Sequence, residues 1–420
     1  MDINIYPDPD FYSDKNYPQN IDELKNSITR FGYAKDKVTF EFVEKAVSKT
    51  NRFFEDMIGF IWNEAERGAK EIPEKLRLLD GEGSVILSQR QCLSIISNAF
   101  FCTYKDRISD NCMSGNNMPS INFDELYGGK SWGYSEIEKL KMIFNYFKRC
   151  RIKLENGDPM NRPVFFIRNK NTSITVDDWE NDRSVLILPQ MYPLNKSLEE
   201  AEGMLKVDFA NQIIGGAAIA YGNVQEEIMF CARPELIVSR LICPAMRPDE
   251  AIIFIGAEQF SQTEGYGSYF EYSGNFLDTS PMQKNGALSS YITAIDAADF
   301  RYLDRRKQYD RDLILRELTK TFAGFNVENT PDHIATGNWG CGIFGGDVEL
   351  KSIIQWIAAS RSGKKMHYYP WSQARVFNKL PELSETLVRK NITTGDLSAF
   401  LLNKLQKSNN VYNQIAEHYS

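Results

Sequence analysis

The sequence predicts an α/β protein with a helical region at each end, and three observations support this fold class. Short runs rich in β-branched and aromatic residues begin near residue 160. Segments with apolar residues at three- and four-residue spacing, which is typical of amphipathic helices, separate these runs. The pattern is helical before residue 160 and again towards the end. We therefore predict a helical accessory domain over residues 1–160, an α/β domain over residues 161–375, and C-terminal helices over residues 376–420 that pack on it.

The N-terminal region contains one long amphipathic pattern, FEFVEKAVSKTNRFFEDMIGFIWNEAERG at residues 40–68, which predicts a helix. Two later segments carry Ser three residues before Gln or Glu, which is the spacing of a helix capping box. We expect Ser88 with Gln91, and Ser135 with Glu138, to begin the next helices.

The α/β region alternates predicted strands with predicted helices. The runs that predict strands are VFFIRN, SVLILP, KVDF, AIIFIG, SYITAID and MHYY. Two helical patterns lie among these runs, RKQYDRDLILRELTKTFAGF and DVELKSIIQWIAASRSG. This alternation predicts a substantially buried sheet with helices packed against it.

Composition and charge exclude several classes of protein. Of the 420 residues, 42% are hydrophobic and 25% are charged, which is typical of globular chains and not of disordered or collagen-like ones. The net charge of −7 argues against binding to a nucleic-acid backbone. The sequence contains no uncharged apolar run of about 18 residues, so we expect no membrane span. The seven cysteines form no CxxC pair and only three histidines are present. We therefore expect a reducing compartment, no disulfide framework and no metal site.

The most informative segment is VDFANQIIGGAAIAYGNVQEEIMF, in which a predicted strand leads through glycines into a helix. Gly215, Gly216 and Gly222 allow a ligand to approach the backbone closely. Glu226 and Glu227 follow at the helix start, where the dipole favours ionised carboxylates while burial and mutual repulsion raise a pKa. A carboxyl balanced in this way suits acid/base chemistry. From the pattern alone, the simpler explanation is that the glycines form turns and that the two glutamates stabilise the start of the helix. No GxGxxG or GxxxxGK[ST] pattern is present here.

A second glycine-rich segment, HIATGNWGCGIFGGDVELKSIIQ, also joins a predicted strand to a helix. Its glycines are Gly337, Gly340, Gly342, Gly345 and Gly346. Such a loop at a helix N-terminus can hold a diphosphate without a lysine. The alternative is a turn that packs Trp339 and Phe344, but two such loops in one domain favour the diphosphate. Asp347 and Glu349 could ligate Mg²⁺, although acids that stabilise the helix start are the simpler explanation.

Two aromatic residues are candidate walls of a ligand site. Tyr266 lies between two glycines after the AIIFIG run and could stack on a purine, although alone it would be read as a surface loop residue. Trp371 follows the MHYY run and is an equal candidate for core packing.

Together these motifs resemble the signature of the poly(ADP-ribose) glycohydrolase family, which is GGG, a short spacer and then QEE. GGAAIAYGNVQEE matches it, with Ala217 in place of the third glycine. VDFAN, PELI, the EQF…GYG loop, AIDA and ATGNWGCGIFGGD also match in order, so that the similarity covers about residues 190–375. We expect Ala217 to have a negative φ and the activity to be kept, because the rest of the signature is intact.

The resemblance implies a macrodomain-like α/β/α catalytic domain with a mixed sheet, preceded by the helical accessory domain. It implies a hydrolase that cleaves ribose–ribose glycosidic bonds of poly(ADP-ribose) and releases ADP-ribose, without cofactor or metal. The implied partners are poly(ADP-ribose) and poly(ADP-ribosyl)ated proteins, with no membrane and no sequence-specific nucleic acid. The implied location is nuclear, cytoplasmic or both.

The resemblance also implies residue roles. Glu227 would be the catalytic acid/base, and Glu226 would bind the ribose and position the scissile bond. Neighbouring residues normally point in different directions on a helix, so we expect one residue acting as acid and then base, and not a two-carboxylate pair. The implied substrate-binding residues are Glu199 for the adenine amino group, Tyr266 for adenine stacking, Asn211 for a ribose hydroxyl, Asp208, Phe209, Gln225, Gly215 and Gly216 for the cleft, Asn338, Gly342 and Phe344 for the diphosphate and distal ribose, and Trp371 for an aromatic wall.

Three other functions compete with this one. A macrodomain can bind ADP-ribose without cleaving it, but the glutamate pair argues for catalysis. The substrate could be a single ADP-ribose on a protein side chain. The fold could also serve as a scaffold for partner docking.

Overall fold

The structure is a computed structural model. It describes residues 2–4, 9–12, 16–30, 38–72, 75–104, 118–129, 133–171, 174–302, 304–408 and 410–420. Of the seven cysteines, Cys112 lies outside these residues, and the other six are free thiols. None of the described helices combines the length and apolar character that crossing a lipid bilayer requires.

The described residues form fifteen α-helices and twelve strands. The helices are α1 Ile21–Thr29, α2 Glu41–Ser48, α3 Phe53–Asp56, α4 Ile58–Glu71, α5 Gln89–Phe100, α6 Asp124–Tyr127, α7 Tyr134–Glu155, α8 Val176–Glu180, α9 Gln225–Ala232, α10 Ser239–Ile242, α11 Arg311–Phe325, α12 Val348–Arg361, α13 Ala374–Arg389, α14 Thr394–Asn403 and α15 Val411–His418. The strands are β1 Asp2–Asn4, β2 Lys75–Arg77, β3 Gly83–Ser88, β4 Pro163–Lys170, β5 Gln190–Met191, β6 Leu205–Asp208, β7 Glu250–Ile255, β8 Ser261–Glu264, β9 Glu271–Asn275, β10 Tyr291–Ala294, β11 His333–Gly337 and β12 Lys365–Tyr369.

Eight of the strands form one mixed sheet in the order β3-β4-β7-β10-β6-β11-β12-β5. The strands from β10 to β5 in this order pair in parallel, whereas β3, β4 and β7 pair antiparallel. Parallel strands need helical crossovers, which cover both faces of the sheet. The result is the three-layer α/β/α arrangement that the family resemblance implies.

The two faces of the sheet pack against different helices. Alternate residues of β4 point to opposite faces, so Phe166 joins a core with the N-terminal helices while Ile167 packs towards the C-terminal ones. The strand β3 lies within the region predicted to be helical and forms an edge of this sheet. The N-terminal helices therefore share a hydrophobic core with the sheet. The division at residue 160 remains a prediction.

The predicted single helix over residues 40–68 is wrong, because the structure has three helices there. The first one ends at Ser48, whose hydroxyl donates to the carbonyl of Lys45 at 2.9 Å, and Thr50 donates to Ala46 in the same way. Arg52 then takes a left-handed φ of 54°, which interrupts the helix. Side-chain hydrogen bonds to the backbone thus compete with helix continuation at this point.

The other local predictions have mixed outcomes. Ser88 and Gln91 form the predicted capping box. Ser135 does not cap α7, because Gly133 takes a left-handed φ of 79° and the helix begins at Tyr134. Glu138 instead accepts from the backbone N–H of Tyr272 at 3.1 Å.

SVLILP is not a strand of the sheet. Side chains of α12 bind the backbone of Ile187 in its middle, since Ser360 accepts from the N–H of Ile187 at 3.0 Å and Trp356 donates to the Ile187 carbonyl at 2.7 Å. The five other predicted strands form, as do both predicted helices of the α/β region and the C-terminal helices.

Candidate active site

The candidate site lies where the parallel strands end. Because β6, β10, β11 and β12 run in the same direction, their carboxyl ends meet at one edge of the sheet, where ligands of open α/β sheets bind. The loops after β6, β11 and β12 open onto a cleft of about 2100 Å³. This exceeds the roughly 300–1000 Å³ of an ordinary small-molecule pocket, so it has room for a long ligand.

The segment after β6 turns sharply at two glycines. Gly215 has φ 79° and Gly216 has φ 46°, which is the left-handed region that glycine tolerates. Ala217 does not share this conformation, as we expected from its place in the signature. A Cβ on Gly216 would lie 2.5 Å from Glu227 Oε1 and 2.7 Å from Glu226 Oε2. Glycine is therefore required at 216 by space as well as by φ.

Glu226 is buried at the second position of α9, and backbone donors hold both oxygens of its carboxyl group. The N–H of Asn211 donates to Oε2 at 2.8 Å, and the N–H of Gly215 donates to Oε1 at 2.6 Å. Burial, and then the charges of Asp208 and Glu227, raise the pKa of Glu226, and the two N–H groups only partly oppose this. Glu226 therefore fixes the loop that precedes its own helix.

Glu227 is the next residue and is held in a similar way. Its Oε1 accepts from the N–H of Ala217 at 3.1 Å, and its Oε2 accepts from the N–H of Val224 at 3.0 Å. Both glutamate side chains thus converge around Gly216, so the expectation that they diverge is wrong. The reason is that Cβ atoms tilt towards the helix N-terminus, and both side chains fold back over the first turn.

Gln225 ties α9 to the end of β6. Its side-chain Oε1 accepts from the N–H of Phe209 at 2.9 Å, and its Nε2 donates to the Val207 carbonyl at 3.2 Å. Asp208 lies beneath this contact, fully buried, with neither carboxyl oxygen hydrogen-bonded to any described residue. Burial, and then the charges of Glu227 and Glu199, raise the pKa of Asp208.

The loop after β11 forms the second wall and leads into α12, whose N-cap is Asp347. Gly340 and Gly345 both have φ 72°, and Gly342 faces open space. Asp347 accepts from the Leu350 N–H at 2.9 Å, so its carboxyl serves the helix start.

Two side chains stabilise this loop from within the protein. Trp339 is fully buried, and the Lys351 ammonium lies 4.0 Å from the centre of its ring. Asn338 donates to the Pro370 carbonyl at 2.7 Å and accepts from the Tyr368 hydroxyl at 3.0 Å. The side-chain amide of Asn338 therefore joins the loops after β11 and β12. Because this amide is already hydrogen-bonded, Asn338 offers a ligand mainly its backbone groups.

Tyr266 and Trp371 form an aromatic pair at the cleft mouth. Their ring centres are 6.0 Å apart, the two residues are 45% and 51% exposed, and both line the cleft. The Tyr266 hydroxyl accepts from the N–H of Gln225 at 3.2 Å, which fixes the ring beside α9. Trp371 has a left-handed φ of 48°, an uncommon conformation for a bulky residue. The core-packing alternative for Trp371 is therefore wrong.

Glu199 also lines the cleft, and two cations that the sequence did not single out hold its carboxylate. Arg233 lies 3.2 Å and Lys206 lies 3.7 Å from its Oε2, while Oε1 has no hydrogen-bond partner among the described residues. Burial alone would raise the pKa of Glu199, but these cations hold it below its ordinary value. Arg233 directly precedes PELI and Lys206 begins KVDF, so both stand beside motifs of the family signature.

The structure brings most of the predicted residues to this one cleft. The predicted residues that line it are Glu199, Phe209, Asn211, Gly216, Gln225, Glu226, Glu227, Tyr266, Asn338, Gly342, Phe344 and Trp371. Asp208 and Gly215 are not in its wall. The sequence did not predict Arg301, whose guanidinium lies 5.2 Å from the centre of the Phe344 ring at the cleft edge. Within the described residues, no three His, Cys, Asp or Glu side chains are grouped as a metal site would require.

The mixed sheet, the two glycine loops and the helical layer define a macrodomain-type protein with a helical domain. Comparison with known families agrees with this class. Residues 176–378 match "Poly (ADP-ribose) glycohydrolase (PARG), Macro domain fold", and residues 46–167 match its helical domain. Together the two matches cover more than three quarters of the chain, so the chain belongs to the poly(ADP-ribose) glycohydrolase family.

Individual relatives support the same assignment. Poly(ADP-ribose) glycohydrolase 1 of Arabidopsis thaliana is 27% identical over 86% of this chain and 77% of its own length. Probable poly(ADP-ribose) glycohydrolase 2 of the same plant is 29% identical over 80% of this chain and 72% of its own length. Poly(ADP-ribose) glycohydrolase 1 of Caenorhabditis elegans is 31% identical over 79% of this chain and 42% of its own length.

Proposed function

We propose that the protein hydrolyses the ribose–ribose glycosidic bonds of poly(ADP-ribose) and releases ADP-ribose. The family assignment supports the substrate. The observation that carries catalysis is the glutamate pair at the start of α9, which faces the cleft beside a glycine loop. A protein that only binds ADP-ribose would not need two buried carboxyl groups there, because their burial is costly.

Glu227 is the proposed acid/base. It protonates the leaving ribose oxygen as C1″ becomes oxocarbenium-like, and the resulting carboxylate then activates the attacking water. Two N–H groups fix its carboxyl group before substrate arrives, so little reorganisation is required. Burial and the neighbouring carboxyl groups raise the pKa values of Asp208 and Glu226 beside it.

Glu226 has a positioning role in this proposal. It holds the N–H groups of Asn211 and Gly215, and so sets the path of the loop against which the substrate ribose lies. The loop after β11 then encloses the diphosphate with its backbone N–H groups. Tyr266 stacks on the adenine, and the carboxylate of Glu199 accepts from the adenine amino group.

The polymer and the proteins that carry it are the proposed partners. The six described cysteines are free thiols, which supports action in the reducing environment of the nucleus or cytoplasm.

A hydrolysis assay tests this function. The wild-type protein is incubated with purified poly(ADP-ribose), and released ADP-ribose is quantified. Glu227→Gln keeps the shape of the side chain but cannot donate a proton as an acid, so turnover should fall about 10²–10⁴-fold, while ADP-ribose affinity stays near normal. Glu264→Gln removes an exposed carboxylate from the cleft wall and is the matched control.

The outcomes separate the competing functions. Binding of ADP-ribose by the wild type without release of ADP-ribose from the polymer would identify a reader. Release only from a protein carrying one ADP-ribose would identify a mono-ADP-ribosyl hydrolase. Full turnover by Glu227→Gln would remove that residue from its proposed role.

A further inference from the structure

A lysine from the helical layer is buried against the glycine loop of the candidate site. Lys139 lies on α7 and is 0% exposed. Its ammonium group donates to the carbonyls of Ala217 at 3.3 Å and Gly222 at 2.8 Å, and also to that of Ala220. All three N–H donors of the lysine are thus used on one short segment, residues 217–222.

The same segment contacts Glu227 with its other side. The N–H of Ala217 donates to Glu227 Oε1, and its carbonyl accepts from Lys139. A Cβ on Gly222 would lie 2.6 Å from the Cγ and Cδ atoms of Glu227, which shows how closely this residue packs on the glutamate. The segment therefore lies between a buried cation and the proposed catalytic carboxyl group.

Arg240 holds the preceding part of the loop in the same manner. Its NH1 group donates to the carbonyls of Ile214 and Gly216, each at 2.9 Å. Five carbonyls of the loop thus face two buried cations, while the N–H groups of Gly215 and Ala217 face Glu226 and Glu227. This division of donors and acceptors gives the loop one well-determined conformation.

Stability alone does not account for a charge at Lys139. Burial lowers the pKa of Lys139, and the charges of Glu227 and Glu136 only partly oppose this. A buried charge is costly unless its hydrogen bonds are satisfied, and a hydrocarbon of the same shape is often no less stabilising. A hydrocarbon side chain, however, could not donate hydrogen bonds to the three carbonyl groups that converge at this point.

We propose that Lys139 is a positioning residue for hydrolysis, which holds residues 217–222 so that Glu227 keeps its orientation towards the scissile bond. This inference rests on the proposed function and makes catalysis depend on a specific side chain of the helical layer.

The test compares Lys139→Met with Lys148→Met, which removes an exposed lysine from the same helix. Met keeps most of the stem packing but cannot bind the carbonyls. We expect kcat on poly(ADP-ribose) to fall about 10- to 100-fold through misplacement of Glu227. KM and the Kd for ADP-ribose should change little, because the hydrogen bonds of Lys139 within the described residues go to residues 217–222 and not to the loop after β11 or to Tyr266. Lys148→Met should behave as wild type.

Two results would overturn the proposal. One is a kcat for Lys139→Met equal to that of Lys148→Met. The other is a parallel loss of ADP-ribose affinity and kcat, which would indicate a purely structural role. If Lys139→Met does not fold, Lys139→Gln tests the proposal in its place. Its amide retains two N–H donors, so we expect an intermediate kcat with an unchanged Kd for ADP-ribose. An inactive wild type would reject the proposed function itself.

Discussion

The backbone N–H of Ala217 donates to Glu227 Oε1 at 3.1 Å, although Ala217 stands where the family signature has its third glycine. The contact requires only the backbone of residue 217, and that backbone does not take a positive φ. A methyl group is therefore compatible with this position. A methyl group would be strained at the two preceding glycines, Gly215 and Gly216, because both have left-handed φ values.

Gly216→Ala should abolish hydrolysis while Gly129→Ala should not. A Cβ at residue 216 would meet both glutamate carboxyl groups and would also be strained at φ 46°, so the glutamates must move. A methyl group at residue 129 would meet no described atom within 4 Å, and Gly129 has no positive φ and does not line the cleft, which makes it the matched control. Initial rates on poly(ADP-ribose), with thermal unfolding measured in parallel, provide the check. A fully active Gly216→Ala variant would contradict this geometry.

Tyr266→Ala should weaken ADP-ribose binding by about 1–3 kcal/mol, which is the usual contribution of an aromatic ring stacked on a base. Tyr266→Phe retains the ring but loses the acceptor for the N–H of Gln225, so it should cost only about 0.5–1.5 kcal/mol. Isothermal titration calorimetry measures both. Equal losses of binding free energy in the two variants would mean that the affinity for ADP-ribose depends on the Tyr266 hydroxyl group and not on stacking.

Much of this site could be predicted because its signals are local. Each glycine loop is contiguous with the strand before it and the helix after it, so the sequence could predict that Gly216 and Gly342 belong to one site, and both line the cleft. The helices α11 and α12 also have complete patterns within the chain. The same holds for the capping box at Ser88.

What could not be predicted depends on contacts between distant segments. Lys139 reaches the loop from 78 residues away in sequence, and nothing in its own helix distinguishes it from its neighbours. SVLILP has the composition of a strand, but the side chains of Ser360 and Trp356 bind the backbone of its Ile187 in place of a neighbouring strand. Asp208 was expected in the cleft wall, yet it lies on a strand buried on both faces.

Glu199→Gln should weaken ADP-ribose binding about tenfold or more, since a hydrogen bond to a charged acceptor contributes about 1.5–3 kcal/mol. The variant should also lose discrimination between ADP-ribose and its hypoxanthine analogue, which lacks the amino group. Glu200→Gln is the control, because Glu200 lies on the same turn but pairs outward with Lys196 at 2.7 Å. Kd values for both ligands test this. Unchanged discrimination in Glu199→Gln would exclude its contact with adenine.

Glu235→Gln should change how stability depends on pH. Glu235 is fully buried between Gln89, which donates to Oε1 at 2.7 Å, and the N–H of Glu258, which donates to Oε2 at 2.8 Å. Burial, and then the charge of Glu258, raise the pKa of Glu235 to about 8. The unfolded chain releases this proton near pH 4.3, so the folded state binds more protons between there and pH 8. The wild type therefore loses stability as pH rises through this window.

The amide of Glu235→Gln does not titrate, so the variant lacks this contribution. Urea unfolding at pH 6, 7 and 8 should show the free energy of unfolding of the wild type falling relative to the variant by roughly 1 kcal/mol per pH unit. The variant should be the less stable of the two at pH 6, where the protonated wild-type acid carries no charge, and the difference should shrink towards pH 8. Glu202→Gln, at an exposed carboxyl group, should follow the wild type throughout. A constant difference between Glu235→Gln and the wild type across these pH values would show that Glu235 does not retain its proton in the fold.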